Sequence, residues 1–171
     1  GICRDISDRK QQDSELRQLQ RGVEASPHGV LMSDALSPDM PVVYANPAFT
    51  EITGYPHEEI VGFNCRFLQG EETAPEAIEA VRQGIRQQTE VNVVLLNYRK
   101  DGMPFWNHLL ISPVFDQAGT CTHFISSQQD ITRQREQDAQ ISYQMNYDQL
   151  TGLPNQAAFQ ESLSHALSDN S

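Results

Sequence analysis

The chain has 171 residues, 38% of them hydrophobic, which suits one domain of about 100 to 150 residues with extensions rather than two complete domains. A formal charge of -11, with no cluster of Lys and Arg, argues against nucleic acid as a ligand. No run approaches the roughly 18 apolar residues of a membrane span, and the opening Gly1-Ile2-Cys3-Arg4-Asp5 does not read as a signal peptide. Cys3, Cys65 and Cys121 lie far apart with no C-x-x-C pair, and the histidines have no matching second ligand. Neither a metal site nor a disulfide framework is expected, and a reducing cytoplasm fits this usage.

In chain order, residues 3–10 read C-R-D-I-S-D-R-K, and a related D-I-T-R-Q-R recurs at 130–135. Residues 11–25 contain no Pro and repeat Leu16, Leu19 and Val23 at i, i+3 and i+7, a helix with one narrow apolar stripe. That stripe needs a partner, either its own domain or a second copy in a coiled coil. Ser26-Pro27-His28-Gly29 breaks the helix. Residues 30–33 and 42–45 are short β-type runs joined by a loop with Ser37-Pro38-Asp39-Met40-Pro41, an extended hairpin. Asn46-Pro47 opens a helix that Gly54 closes. A short turn follows at 56–60, and Asn64 is placed to cap the turn carrying Cys65.

Thr73-Ala74-Pro75-Glu76 matches a capping box, and Ile78, Val81 and Ile85 share one face of the helix running to Arg86. Strands are expected at 90–99, 104–115 and 120–131, with turns at Lys100-Asp101-Gly102 and Asp116-Gln117-Ala118-Gly119. Two strands, several helices and three further strands make an α+β domain, a five-stranded antiparallel sheet with helices on one face.

Alternation along the late strands places Asn97 on the face of Val93 and Leu95, Asn107 with Leu109 and Ile111, and Gln128 with Phe124 and Ser126. A buried amide without partners costs about 1–3 kcal/mol, so three in one core call for compensation. A flat heterocycle with polar edges would satisfy them; partial solvation, or bonds among the amides and backbone, would do so too.

Residues 62–70 read G-F-N-C-R-F-L-Q-G. This stretch resembles the signature G-R-N-C-R-F-L-Q of the LOV photosensors, a blue-light branch of the PAS domains; Phe63 is the one departure, standing in place of a positive charge. The D-I-T at 130–132 likewise resembles the motif at which PAS domains end, and residues 3–10 then resemble the tail of an upstream PAS-like domain. The resemblance implies a flavin, and makes Cys65 the residue whose sulfur adds to ring carbon 4a after blue-light excitation while the neighbouring nitrogen gains a proton. It assigns Asn97, Asn107 and Gln128 to the polar edge of the ring, and Asn64 and Gln69 to the ring and ribityl chain. Arg66 and Arg82 match the arginines that hold the flavin phosphate, which implies FMN ahead of FAD or riboflavin. Leu31, Met32, Ser33, Val42, Phe49, Ile85, Leu95, Leu109, Ile111 and Phe124 are candidates for the ring's neighbours, with plain core packing the alternative for each. Gln128 would relay the signal, because its amide must turn over when the ring nitrogen changes from acceptor to donor.

Residues 132–148 are Gln-rich with Ile141 and Met145 as sparse apolar points, a marginal isolated helix that pairing with a second copy would help. Beyond it, Asp148-Gln149-Leu150-Thr151-Gly152-Leu153-Pro154-Asn155 resembles the D-x-L-T-G-L-x-N opening of GGDEF domains, the diguanylate cyclases, with Gln156 where Arg is usual. Only that opening and a helix over 157–167 are present, so the fragment is expected to be a sensor and not an enzyme. The expected division is an upstream tail and linker helix (1–25), a LOV core (26–130), a signalling helix (131–148) and the start of a GGDEF domain (149–171). The whole protein would be a homodimeric, light-regulated diguanylate cyclase, with a phosphodiesterase domain left open. Two other readings remain at this point: a flavin redox or small-ligand PAS sensor with a structural Cys65, and a constitutive dimerisation module.

Overall fold

A computed structural model describes residues 2–146, so the GGDEF-like opening and the last residues of the expected signalling helix lie outside them. The chain divides after Ile131 into two units. The first holds helix α1 (Ile2–Glu24), strands β1 (Gly29–Asp34) and β2 (Val42–Ala45), helices α2 (Pro47–Thr53), α3 (His57–Ile60) and α4 (Pro75–Gln87), and strands β3 (Val91–Tyr98), β4 (Pro104–Phe115) and β5 (Cys121–Asp130). A 3-10 turn covers Cys65–Leu68. In the second unit, helix α5 (Thr132–Asn146) starts two residues after β5.

All five strands pair antiparallel in the order β2-β1-β5-β4-β3, the expected α+β sheet. Asn46 anchors the first helix crossing as its sequence position foretells. Its side-chain oxygen accepts from the amides of Phe49 (3.2 Å) and Val30 (2.8 Å), and its amide nitrogen donates to the carbonyls of Val23 (2.9 Å) and His28 (3.0 Å). One buried amide thus caps α2 and ties the end of α1 to β1. Gly54 closes α2 at φ 74°, a left-handed position that glycine adopts without strain.

Two expectations are corrected. Helix α1 begins at Ile2, well before residue 11, because residues 3–10 contain neither Gly nor Pro and continue the helical pattern. The capping box at Thr73 does not form: the N-cap of α4 is Ala74, with no side-chain bond. The Thr73 hydroxyl instead accepts from the Gly70 amide (2.9 Å) and donates to the Leu96 carbonyl (2.6 Å), and Thr73 is buried by that tie to β3.

Apolar residues form two clusters on the inner face. Leu31, Val42, Ala45, Phe49, Ile60 and Leu68 make one, and Val91, Leu95, Leu109, Ile111, Cys121 and Phe124 the other. Helix α4 lies close on β3 because residue 84 is glycine: a Cβ there would stand 2.1 Å from Val91 Cγ2. The apolar stripe of α1 finds no cover in this unit, with Leu16 67% and Leu19 69% exposed. No helix among the described residues is long and apolar enough to cross a membrane.

Candidate functional site

Sheet register brings the three amides together. Gln128 on β5 stands opposite Leu109 on β4; Asn107 on β4 stands opposite Leu95 on β3; Asn97 on β3 stands opposite Phe105. Each amide is therefore displaced by two residues from the next, and the three run diagonally across β5, β4 and β3, where diagonal neighbours are within reach of long side chains. All are buried: Asn97 3%, Asn107 1% and Gln128 3% exposed.

They bond to one another, as one of the alternatives required, but the set does not close. Asn107 Nδ2 donates both to Asn97 Oδ1 (2.9 Å) and to Gln128 Oε1 (3.0 Å), and Asn97 Nδ2 donates to the Leu96 carbonyl (3.3 Å). Asn107 Oδ1 is buried and has no partner in the chain. The other such atom among the described residues, the Tyr44 hydroxyl, is on β2 and takes no part in this site. Left unpaired, a buried carbonyl oxygen costs about 1–3 kcal/mol, so Asn107 Oδ1 calls for a donor from outside the chain.

The amides form one wall of a cavity lying between the two apolar clusters. Its volume is about 110 Å³, and it opens to solvent at its mouth. Of the candidates named from the sequence, Ser33, Asn64, Cys65, Arg66, Gln69, Ile85, Leu95, Asn97, Asn107, Leu109, Ile111, Phe124 and Gln128 line it, as does Leu31. Met32, Val42, Phe49 and Arg82 do not. Val42 and Phe49 belong to the first core cluster, packed against Leu31 and Ile60. Arg82 sits on the exposed face of α4, 3.9 Å from Glu79, while Val81 and Ile85 of the same helix face inward.

Four lining residues were not named as site candidates: Met40, Leu68, Val81 and Ser126. The helical stripe and strand alternation carried the signal for Val81 and Ser126. Met40 had none, since it reaches the cavity from a loop in which its own φ is 46°.

Cys65 opens the 3-10 turn, whose N-cap Asn64 accepts from the Arg66 amide at 3.0 Å, as its position in the sequence foretells. The cysteine, like Tyr55 and Phe67, packs against the first cluster, and burial pushes its thiol up to about 12. It is a neutral thiol at ordinary pH and a poor nucleophile without activation. Arg66 stands at the mouth with its guanidinium 2.6 Å from Asp39. Phe63 is 57% exposed and lines no part of the cavity.

Where β5 leaves the sheet, Arg99 clamps its end. The guanidinium donates to the Asp130 carboxylate and to the Ile52 carbonyl, and lies 4.6 Å over the Phe105 ring. Asp130 is two residues beyond Gln128 and two before α5.

A mixed sheet-and-helix shell around one cavity, with a polar diagonal on its floor, is the construction of a small-ligand sensor domain, and the chain belongs to the PAS domain family, whose profile matches residues 27–133. Within that family it is a LOV domain: it covers 98% of the solved "LOV domain from Erythrobacter litoralis EL346 blue-light activated histidine kinase" with 63% of its own length, at 44% identity and a TM-score of 0.60. A solved "RNA-binding Light-Oxygen-Voltage Receptor" matches 72% of this chain and 35% of its own, at 41% identity and a TM-score of 0.67. Blue-light-activated histidine kinase 1 of Erythrobacter litoralis (strain HTCC2594) is 52% identical over 103 residues, 60% of this chain and 29% of that kinase. The chain spans under a third of the length of the curated relatives it first matches, 29% and 22% for the first two.

Proposed function

We propose that residues 26–130 are a blue-light photosensor that holds FMN in the cavity and uses Cys65 as its reactive group. The observation that carries this reading is the orphaned Asn107 Oδ1 in a wall of three buried amides, in the same cavity as the Cys65 thiol. Donors and acceptors on a flat heteroaromatic edge would complete that wall, and the apolar residues Leu95, Leu109, Ile111 and Phe124 would flank it. A bound flavin supplies blue-light absorption and, once excited, a ring carbon that accepts a sulfur nucleophile.

The chain's residues account for the rest. Cys65 keeps its proton in the dark, so no side reaction of a thiolate competes, and it brings both sulfur and proton to the site. Arg66 offers a planar set of donors at the mouth, suited to a phosphate. Gln128 has its oxygen engaged by Asn107 Nδ2, leaving its amide hydrogens for a cavity partner. If that partner becomes a donor, Gln128 must turn its oxygen inward; its own nitrogen then faces Asn107 Nδ2, donor to donor, and the shared bond breaks. The change falls two residues before the Arg99–Asp130 clamp, and the chain runs on into α5.

Residues 131–148 serve in this reading as the signalling helix and residues 149–171 as the start of a GGDEF output, so that light would regulate cyclic di-GMP synthesis in the whole cytoplasmic protein. The support is the D-x-L-T-G-L-x-N match at 148–155. Its relatives carry histidine kinase names, which describe those proteins. The exposed Leu16 and Leu19 on α1 support a homodimer paired through the linker helices. Absorption spectroscopy separates the readings. A structured blue band that bleaches in light and recovers in darkness is expected; bleaching only with reductant would favour a redox sensor, and no chromophore a dimerisation module.

A further inference from the structure

We propose that Asp39 sets how strongly the site prefers a phosphorylated flavin over one without phosphate, by competing with the phosphate for Arg66. The inference rests on the flavin reading above.

The loop between β1 and β2 is shaped to deliver this carboxylate. Asp34 accepts from the Leu36 amide (2.8 Å) and the Ser37 hydroxyl (2.7 Å), and the Met40 amide donates to the Ser37 carbonyl (3.0 Å). The Asp34 amide closes the loop on the Pro41 carbonyl at 3.0 Å. Met40 takes a left-handed φ of 46°, sparsely populated by side chains with a Cβ, and puts its side chain in the cavity wall. Asp39, its neighbour, is held across the mouth from two sides. Asn64 Nδ2 donates to its carbonyl at 2.6 Å, and Arg66 Nη2 lies 2.6 Å from its carboxylate.

Asp39 thus engages one of the Arg66 nitrogens that a phosphate would use. Arg82, the second arginine that the resemblance assigns to the phosphate, lines no part of the cavity and stands 3.9 Å from Glu79, which also holds Arg86. Phe63, where the family signature carries a positive charge, adds no cation to offset these carboxylates. Arg66 and Asp39 are 63% and 70% exposed in their side chains, so solvent screens their pair and leaves it a weak competitor. It lowers phosphate affinity without blocking it. A flavin ending in a hydroxyl does not compete for the guanidinium and leaves the pair intact.

The test is titration of the flavin-free protein with FMN and with riboflavin, followed by quenching of flavin fluorescence. Asp39→Asn keeps the carbonyl that Asn64 holds and should raise FMN affinity about fivefold, the equivalent of about 1 kcal/mol, with riboflavin affinity unchanged. In an Arg66→Gln background the same change should leave the FMN-to-riboflavin ratio where it was, because the competition has no object. Weaker FMN binding by Asp39→Asn would make Asp39 a support for Arg66 and overturn the proposal, as would parallel changes for both flavins. Failure of the unaltered chain to bind either flavin would overturn the underlying reading instead.

Discussion

Replacing Asn107 with leucine removes the one donor that two other buried amides share. Asn97 Oδ1 and Gln128 Oε1 would each lose their bond to Nδ2, at about 1–3 kcal/mol per stranded oxygen, or roughly 2–6 kcal/mol together. In the flavin-free protein leucine also abolishes the orphaned Asn107 Oδ1, which returns about 1–3 kcal/mol. The net loss there should be roughly 1–3 kcal/mol. In the flavin-loaded protein that oxygen has a partner, the return disappears, and the loss should exceed the flavin-free value by about 1–3 kcal/mol. Flavin affinity should fall accordingly, by about five- to 150-fold. Urea denaturation of wild type and Asn107→Leu, each with and without saturating FMN, measures both quantities. Equal losses in the two states would refute the assignment of Oδ1 to a ligand, and no loss in the flavin-free state would refute the shared-donor network itself.

Burial favours the neutral Cys65 thiol, so its contribution is full below the unfolded thiol's pKa of about 8.5 and is lost as pH rises toward about 12. The denaturation midpoint of wild type relative to Cys65→Ala should therefore hold steady from about pH 6 to 8 and decline above about 8.5; a flat difference to pH 11 would contradict the burial. Gly84→Ala should cost about 1–3 kcal/mol in thermal or urea unfolding, despite alanine's better helix propensity, because its Cβ would meet Val91 Cγ2 at 2.1 Å. A neutral or stabilising result would mean that α4 rides more loosely on β3 than described. Gln128→Leu should retain the light-induced absorbance change while abolishing light-dependent hydrogen exchange over residues 130–146, and an unaltered exchange response would remove Gln128 from the signal path.

Strands were the most legible feature, because period-2 alternation and Gly-containing turns mark β3, β4 and β5 to within a residue or two. The same alternation found the amide wall, since each amide lies on an apolar face whatever the register. Register itself was not legible, and with it the fact that Asn107 sits between the other two as a double donor. Local rules misled at Thr73, where a capping-box pattern lost to a tertiary bond with Leu96 across 23 residues. Val42 and Phe49 alternate correctly into the core, yet which part of the core is hollow depends on the packing of α2 and α3, which periodicity does not encode. Loop residues were least readable. Neither Met40 in the wall nor Asp39 on Arg66 follows from a pattern, because both depend on a turn set by Asp34 and Ser37.

The proposed photochemistry depends on the sulfur of Cys65. Absorption spectra of FMN-loaded wild type and Cys65→Ala, taken in darkness, during blue illumination and after return to darkness, test it most directly. Wild type should lose its blue band in light and regain it in the dark, while Cys65→Ala should bind FMN equally well and keep its band throughout. Reversible bleaching of Cys65→Ala to the same extent as wild type would contradict the account.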